Sequence, residues 1–346
     1  MIAIFSKFDM AGGSERRCVE LANGIEKYTN HQACILAEKD FPESLTPLVD
    51  ENVQVIPYAL LKPEYFGGDD YVIVVNTDCK EFSTLDYWEG KSQRHNTRLS
   101  LVGIRKMLFL YNFLISPSRH LHELIKYVDI SIVCTNRKFF NEITKQDRYE
   151  RVRILPRYIL GSPINPDSVN SRVRTKAAIF GCHSKRLGSK WNPEWPKLAE
   201  KISQRYSQSE FRLMGMKADM IENMQKARCS ALFKENEVSV KEFLDSLDVF
   251  VFFPQYKREE PWARVIAEAM VAGLPIIALD RGGTSDQVLK WNNGILCKRF
   301  DDYHKALVHL IEHPEVIESM SRNSIRISKE FHTEQIIKKL MGILWA

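Results

Sequence analysis

The sequence predicts an α/β protein of two similar halves, each a mostly parallel sheet with helices on both faces. Three observations carry this. The 346 residues exceed what a single hydrophobic core usually organises. Short β-branched runs alternate with helical stretches along the chain, the order of elements that builds parallel sheets. The alternation breaks at RYILGSPINPDSVNSR (157–172), whose two prolines and turn residues read as a domain connection.

IAIF (2–5) is the first strand, followed by the glycine loop DMAGGSE. A helix follows in ERRCVELANGIEKY, where Cys18, Leu21, Ala22 and Ile25 recur at helical spacing. ACILAEK (33–39), VQVIPY (53–58), YVIVVNTD (71–78) and VDISIVCTN (128–136) continue the first half. Beyond the connection, KAAIFG (176–181), FRLMG (211–215), VFVFFP (249–254), LPIIALD (274–280) and GILC (294–297) are strands, with helices such as EWPKLAEKISQRY and VKEFLDSL between them. The expected domains are 1–165 and 166–330, with 331–346 a helix packing back on the first half. Open α/β sheets bind ligands at the carboxyl ends of their strands, so the crevice between two such sheets is the expected site.

Composition narrows the function. Hydrophobic residues at 44% and charged residues at 27% belong to a soluble globular protein. The seven cysteines are scattered, with no C-x-x-C pair, so neither a disulfide framework nor a zinc ribbon is expected and a reducing cytoplasm fits. MIAIFSKFDMAGG lacks the features of a signal peptide. The apolar run MLFLYNFLI (107–115) is far short of the ~20 residues that span a bilayer. The net charge of +5 allows phosphate-bearing partners, nucleic acid and a membrane surface included, without demanding them.

The most informative stretch is KREEPWARVIAEAMVAGLPIIALDRGG (257–283), with Glu260 and Glu268 eight residues apart. Pro261 suits the first position of a helix, and Gly273 followed by Pro275 marks its end. The expected helix runs from about Pro261 to Ala272, with Glu260 near its N-cap. Its first N–H groups and positive dipole end form an anion site. Two carboxylates beside bound phosphate would repel it, so they are expected to face hydroxyls, each charge-assisted bond contributing roughly 1.5–3 kcal/mol. Sugar hydroxyls, a diphosphate and ribose hydroxyls in line describe a nucleotide-sugar; the competing reading is a solvated helix face with ordinary capping.

EPWARVIAEAMVAGLPIIA followed by DRGGTSD resembles the E-x7-E signature of retaining glycosyltransferases of the family 4 type. It matches at Glu260, Pro261, Arg264, Glu268, Ala269, Met270, Gly273, Pro275, Gly282 and Gly283. It departs at Ala263, where the family commonly has glycine, and at Asp286, where it has glutamate. AGGSERRCVELANGIEKY (11–28) is similar to the family's N-terminal glycine-loop segment, and IFGCHSKRLGSKWNPEWPKL (179–198) to its strand–loop–helix with cations for the diphosphate.

The resemblance implies the GT-B fold, two Rossmann-like domains with a cleft between them. Domain 1–165 would bind the acceptor and 166–330 the nucleotide-sugar. It implies Glu268 on the ribose, Glu260 on the donor sugar, and Arg264 and the helix start near the diphosphate. Pro261, Trp262, Gly283, Gly12 and Gly13 would complete the donor site. The family's arginine after the glycine is replaced by Cys182, with Lys185 or Arg186 to substitute, and Lys190 is the counterpart of the family lysine. Glu260, Lys190 and Arg186 are the candidate catalytic residues. His183 either points into the cleft or, as a lone histidine more often is, is structural. No metal-ligand spacing occurs, so no metal or cofactor is expected beyond the nucleotide-diphosphate sugar as co-substrate.

The segment GKSQRHNTRLSLVGIRKMLFLYNFLISPSRHLHELIKY (90–127) is the least family-like. Its basic residues, among them Arg94, His95, Arg98 and Arg105 as acceptor-side candidates, allow three readings: a core helix with snorkelling basics, a surface touching membrane phospholipid, or a track for a phosphate-rich acceptor such as DNA. The implied reaction is transfer of a hexose-type sugar to an envelope polysaccharide or lipid-linked glycan by a cytoplasmic enzyme, on the inner membrane face if the phospholipid reading holds. A modified base of phage DNA is the alternative acceptor. A sugar-nucleotide epimerase or a non-catalytic binding protein of the same fold is the alternative from another class.

Overall fold

The structure is a computed structural model that describes residues 1–6, 13–37, 41–57, 66–67, 69–75, 82–83, 99–100, 106–111, 128–145, 152–155, 160–216, 218–226 and 231–345. The chain divides into one unit of Met1–Pro163 with Thr333–Ala346 and a second of Ile164–His332.

In the first unit β1 (Ile2–Phe5) is a run of four buried residues, as expected of a strand covered on both faces. It leads to α1 (Gly13–Tyr28), then β2 (Ala33–Ala37), β3 (Gln54–Pro57) and β4 (Tyr71–Val75). Two short strands, β5 (Phe82–Ser83) and β6 (Leu99–Ser100), pair with each other. β7 (Lys106–Tyr111), β8 (Asp129–Cys134), α2 (Arg137–Ile143) and β9 (Arg153–Ile154) follow. Among the described residues the main sheet has order β3-β2-β1-β4-β7-β8-β9, and its pairs are parallel.

β7 corrects the expectation of a core helix within 90–127. Lys106–Tyr111 lies between β4 and β8, and Met107, Leu108, Phe109 and Leu110 are buried. A central parallel strand reads as an unbroken apolar run, which periodicity does not separate from a buried helix. Arg94, His95, Arg98 and Arg105 lie outside the described residues.

The second unit opens with β10 (Ile179–His183) and α3 (Trp195–Arg205), then β11 (Glu210–Met214), α4 (Ala218–Lys226), β12 (Ala231–Phe233), α5 (Val240–Asp245) and β13 (Val249–Phe252). It continues with α6 (Arg264–Val271), β14 (Ile276–Leu279), α7 (Thr284–Gln287), β15 (Gly294–Cys297), α8 (Phe300–Glu312) and α9 (Pro314–Ser328). The sheet order is β12-β11-β10-β13-β14-β15, again parallel. The chain begins this sheet near its centre, so β10, β13 and β14 bring three loops side by side at their carboxyl ends.

One buried cation ties this unit together. Arg174, 1% exposed, donates Nε to the Leu247 carbonyl at 2.9 Å, Nη1 to Arg172 and Ala272 at 2.9 and 3.1 Å, and Nη2 to Leu244 at 3.1 Å. Burial lowers its pKa to about 10, which still leaves it charged at neutral pH.

The last helix, α10 (Thr333–Leu344), belongs to the first unit, where Ile336, Ile337 and Leu340 share a core with Leu21, Ala22 and Ile25 of α1. Gly24 makes that approach feasible, since a Cβ there would lie 2.7 Å from Ile337 Cγ1. No helix among the described residues is long and apolar enough to cross a membrane.

Candidate functional site

Two of the three loops in the second unit are stitched together. After β10 the chain makes a single 3-10 turn at Gly188–Lys190. After β13 it runs through Gln255, whose N–H donates to the Ser189 carbonyl and whose Nε2 donates to the Gly188 carbonyl, both at 3.2 Å. Asn192, almost fully buried, adds bonds from its N–H to Phe253 and from Nδ2 to Pro254, both at 3.0 Å.

This stitching brings three charges together. Lys190 Nζ lies 3.6 Å from Glu260 Oε1, and Arg258 Nε lies 2.7 Å from Glu260 Oε2. Arg258 Nη1 also donates to Ser189 Oγ at 2.6 Å. The three side chains are 19%, 21% and 12% exposed for Lys190, Arg258 and Glu260, low enough that solvent screens them only partly. Lys190 and Glu260 were singled out in the sequence. Arg258 was missed, because it stands outside the E-x7-E frame, two residues before Glu260.

The third loop fixes the backbone of Glu260. Glu260 bridges Gly282 in parallel fashion, and the Gly283 N–H donates to the Glu260 carbonyl at 2.8 Å. Gly282 has φ +69°, and a Cβ on it would lie 2.6 Å from the Glu260 carbonyl oxygen. Gly282→Ala is therefore expected to destabilise the protein by about 2 kcal/mol or more. Urea denaturation of the variant checks it.

The helix boundary differs from expectation. α6 begins at Arg264 with Ala263 as its N-cap, three residues beyond Pro261. Residues before it are held by the bridge to Gly282, and the Gln287 side chain closes both polar groups of Ala263: the Ala263 N–H donates to Gln287 Oε1, and Gln287 Nε2 donates to the Ala263 carbonyl, each at 3.0 Å. Glu260 is thus an extended residue before the helix and not its N-cap, so a helical rise does not set its separation from Glu268. Ala263 itself has φ −87° and ψ 95°, a conformation that does not require glycine.

Glu268, 6% exposed, is held on α6 by Arg264 Nε at 2.8 Å from Oε1 and faces His183 Nε2, 3.5 Å from Oε2. His183 is buried at the end of β10 and lies edge-on to Phe243 and Phe250.

Other singled-out residues fall elsewhere. Arg186 is exposed, and its N–H donates to Glu235 at 3.0 Å. The Lys185 carbonyl accepts from Trp191 Nε1 at 3.2 Å. Cys182 is buried, and burial pushes its thiol well above the usual range. Trp262 is 8% exposed with its ring edge-on to Phe331 at 4.9 Å, and Pro261 is buried. Gly13 opens α1, and Gly12 lies outside the described residues.

Arg258, Glu260, Glu268 and Gly282 fall within the region that similarity picks out, whereas His183 and Lys190 precede it. Residues 197–327 match the family model described as glycosyl transferases group 1. Along the whole chain, an uncharacterized glycosyltransferase of Haemophilus influenzae is 24% identical over 359 aligned positions, covering 96% of each protein. Among solved structures, Anabaena HepE in complex with UDP superposes with a TM-score of 0.72 at 14% identity, covering 99% of both chains. WaaG, a glycosyltransferase involved in lipopolysaccharide biosynthesis, superposes at 0.64 with 13% identity over 99% of both. The two Rossmann-like units are those of the GT-B fold.

Proposed function

We propose that this chain is a retaining hexosyltransferase of the family 4 type that takes a sugar from a UDP-linked donor and delivers it to a hydroxyl of an envelope polysaccharide or lipid-linked glycan. The observation that carries the reading is the Glu260 carboxylate flanked by Lys190 and Arg258 at the strand ends of the second unit. A carboxylate accepts sugar hydroxyls while the neighbouring cations suit phosphate oxygens. The UDP and UDP-glucose complexes of HepE support the choice of nucleotide, and the lipopolysaccharide role of WaaG supports the choice of acceptor.

In this reading Glu268 binds the ribose hydroxyls, with Arg264 holding its carboxylate in place. Glu260 binds hydroxyls of the transferred sugar. Lys190 and the start of α6 meet the diphosphate, whose departing charge must be stabilised as the glycosidic bond breaks. Attack from the face the nucleotide leaves lets the leaving phosphate accept the acceptor's proton, so the chemistry needs no separate base.

The test is donor turnover without acceptor. With UDP-glucose alone the protein is expected to release UDP and glucose slowly, and NMR during the first minutes should show α-glucose. β-Glucose would overturn retention. A donor present at about 100 times its Kd stabilises its protein by about 2.7 kcal/mol, so the absence of a thermal shift with UDP-glucose and other UDP-sugars would overturn the choice of donor.

A further inference from the structure

We infer that Arg258 is the second cation of the leaving-group site, binding the departing diphosphate together with Lys190. The inference rests on the transferase reading above and adds to it a residue that the sequence motif does not contain.

Two negative phosphates leaving in a partly buried site call for more than one positive charge. Near the strand ends Arg264 pairs with Glu268 and Arg281 with Glu259. Cys182, which occupies the place after Gly181, is buried and held as a neutral thiol. Arg186 is exposed, and its backbone N–H donates to Glu235. Arg258 is different. Its Nε reaches one oxygen of the carboxylate whose other oxygen faces Lys190, and its Nη1 is bonded to the hydroxyl of Ser189, next to Lys190 in the chain.

The placement is built. The Arg258 N–H donates to the Gln255 carbonyl at 2.9 Å, and Gln255 is itself bonded to the turn that carries Lys190. Nη2 has no partner among the described residues. A guanidinium offers five N–H donors in a fixed fork, and phosphate oxygens accept such pairs well. Against one carboxylate, two cations leave a positive charge in excess, which is what an arriving diphosphate meets.

A competing role is that Arg258 only fixes the rotamer of Glu260. Calorimetric binding of UDP and of uridine to wild type and Arg258→Gln, with donor turnover on both, separates the two. If Arg258 contacts the diphosphate, the variant binds UDP at least about 10-fold more weakly, binds uridine as wild type does, and turns over donor more slowly. Unchanged UDP affinity, whether turnover falls or not, overturns the inference. If Arg258→Gln also loses uridine, Arg258→Lys decides: UDP affinity within about threefold of wild type supports the contact, because a charge-assisted bond survives in Lys, and a loss as large as the glutamine variant's overturns it. A wild type that binds no nucleoside diphosphate overturns the transferase reading and this assignment together, whereas wild-type binding unaltered in Arg258→Gln overturns the assignment alone.

Discussion

Lys190→Ala is expected to lower donor turnover by about 100- to 1,000-fold, the range lost when one pre-placed stabiliser of developing transition-state charge is removed. On the proposed reading the effect belongs mainly in kcat, because negative charge on a leaving diphosphate grows as the bond breaks. Steady-state kinetics on UDP-glucose checks it. The lysine side chain is 19% exposed and ends on a 3-10 turn, so the variant should fold normally, and its melting temperature without ligand provides the control. A variant with wild-type turnover would remove Lys190 from the site. Glu260→Ala should also impair turnover, but it leaves Lys190 and Arg258 facing each other without their shared anion, so some loss of stability is expected in that variant as well.

The largest effect on stability is expected from Arg174→Met. The guanidinium serves carbonyls of Arg172, Leu244, Leu247 and Ala272, which come from the connection, the end of α5 and the end of α6. Methionine fills similar volume but leaves these acceptors without that donor. Stranding buried polar groups of this kind costs about 3–5 kcal/mol, a large part of the stability of an ordinary domain. Urea denaturation followed by circular dichroism checks it. Arg172→Met is the informative comparison: its guanidinium is half exposed and pairs with Asp245, so it should cost less than about 1 kcal/mol.

How far the sequence could be read depended on whether a signal was local. Strands such as Ile2–Phe5 and Ile276–Leu279 were legible because each is a compact buried run between turn residues. Lys106–Tyr111 was not, because a long apolar stretch among basic residues suits a helix equally well. Ala231–Phe233 was missed as well, being three residues long. At the site, Glu260, Glu268 and Lys190 stood out through spacing and resemblance. The start of α6 was misread, because Pro261 carries a strong local signal for a first helical turn, while the groups that override it, Gly282 and Gln287, lie more than twenty residues away. Arg258 gives no sequence signal that distinguishes it from Lys257 beside it. Only the stitching of Gln255 to the 188–190 turn sets it apart. His183 facing Glu268 is likewise a product of sheet order, since residue 183 ends β10 while 268 rides on the helix after its neighbour β13.

The carboxylate lodged between Lys190 and Arg258 has a bearing on discrimination. On the proposed reading, Glu260 holds the two cations neutralised until a ligand's own negative charge takes them over. Free phosphate offers the cations only what Glu260 already gives them, and it brings nothing to occupy the carboxylate it would displace. A sugar nucleotide carries phosphate oxygens and sugar hydroxyls on one frame and can satisfy both parties in a single exchange, so it should be held more tightly than inorganic phosphate.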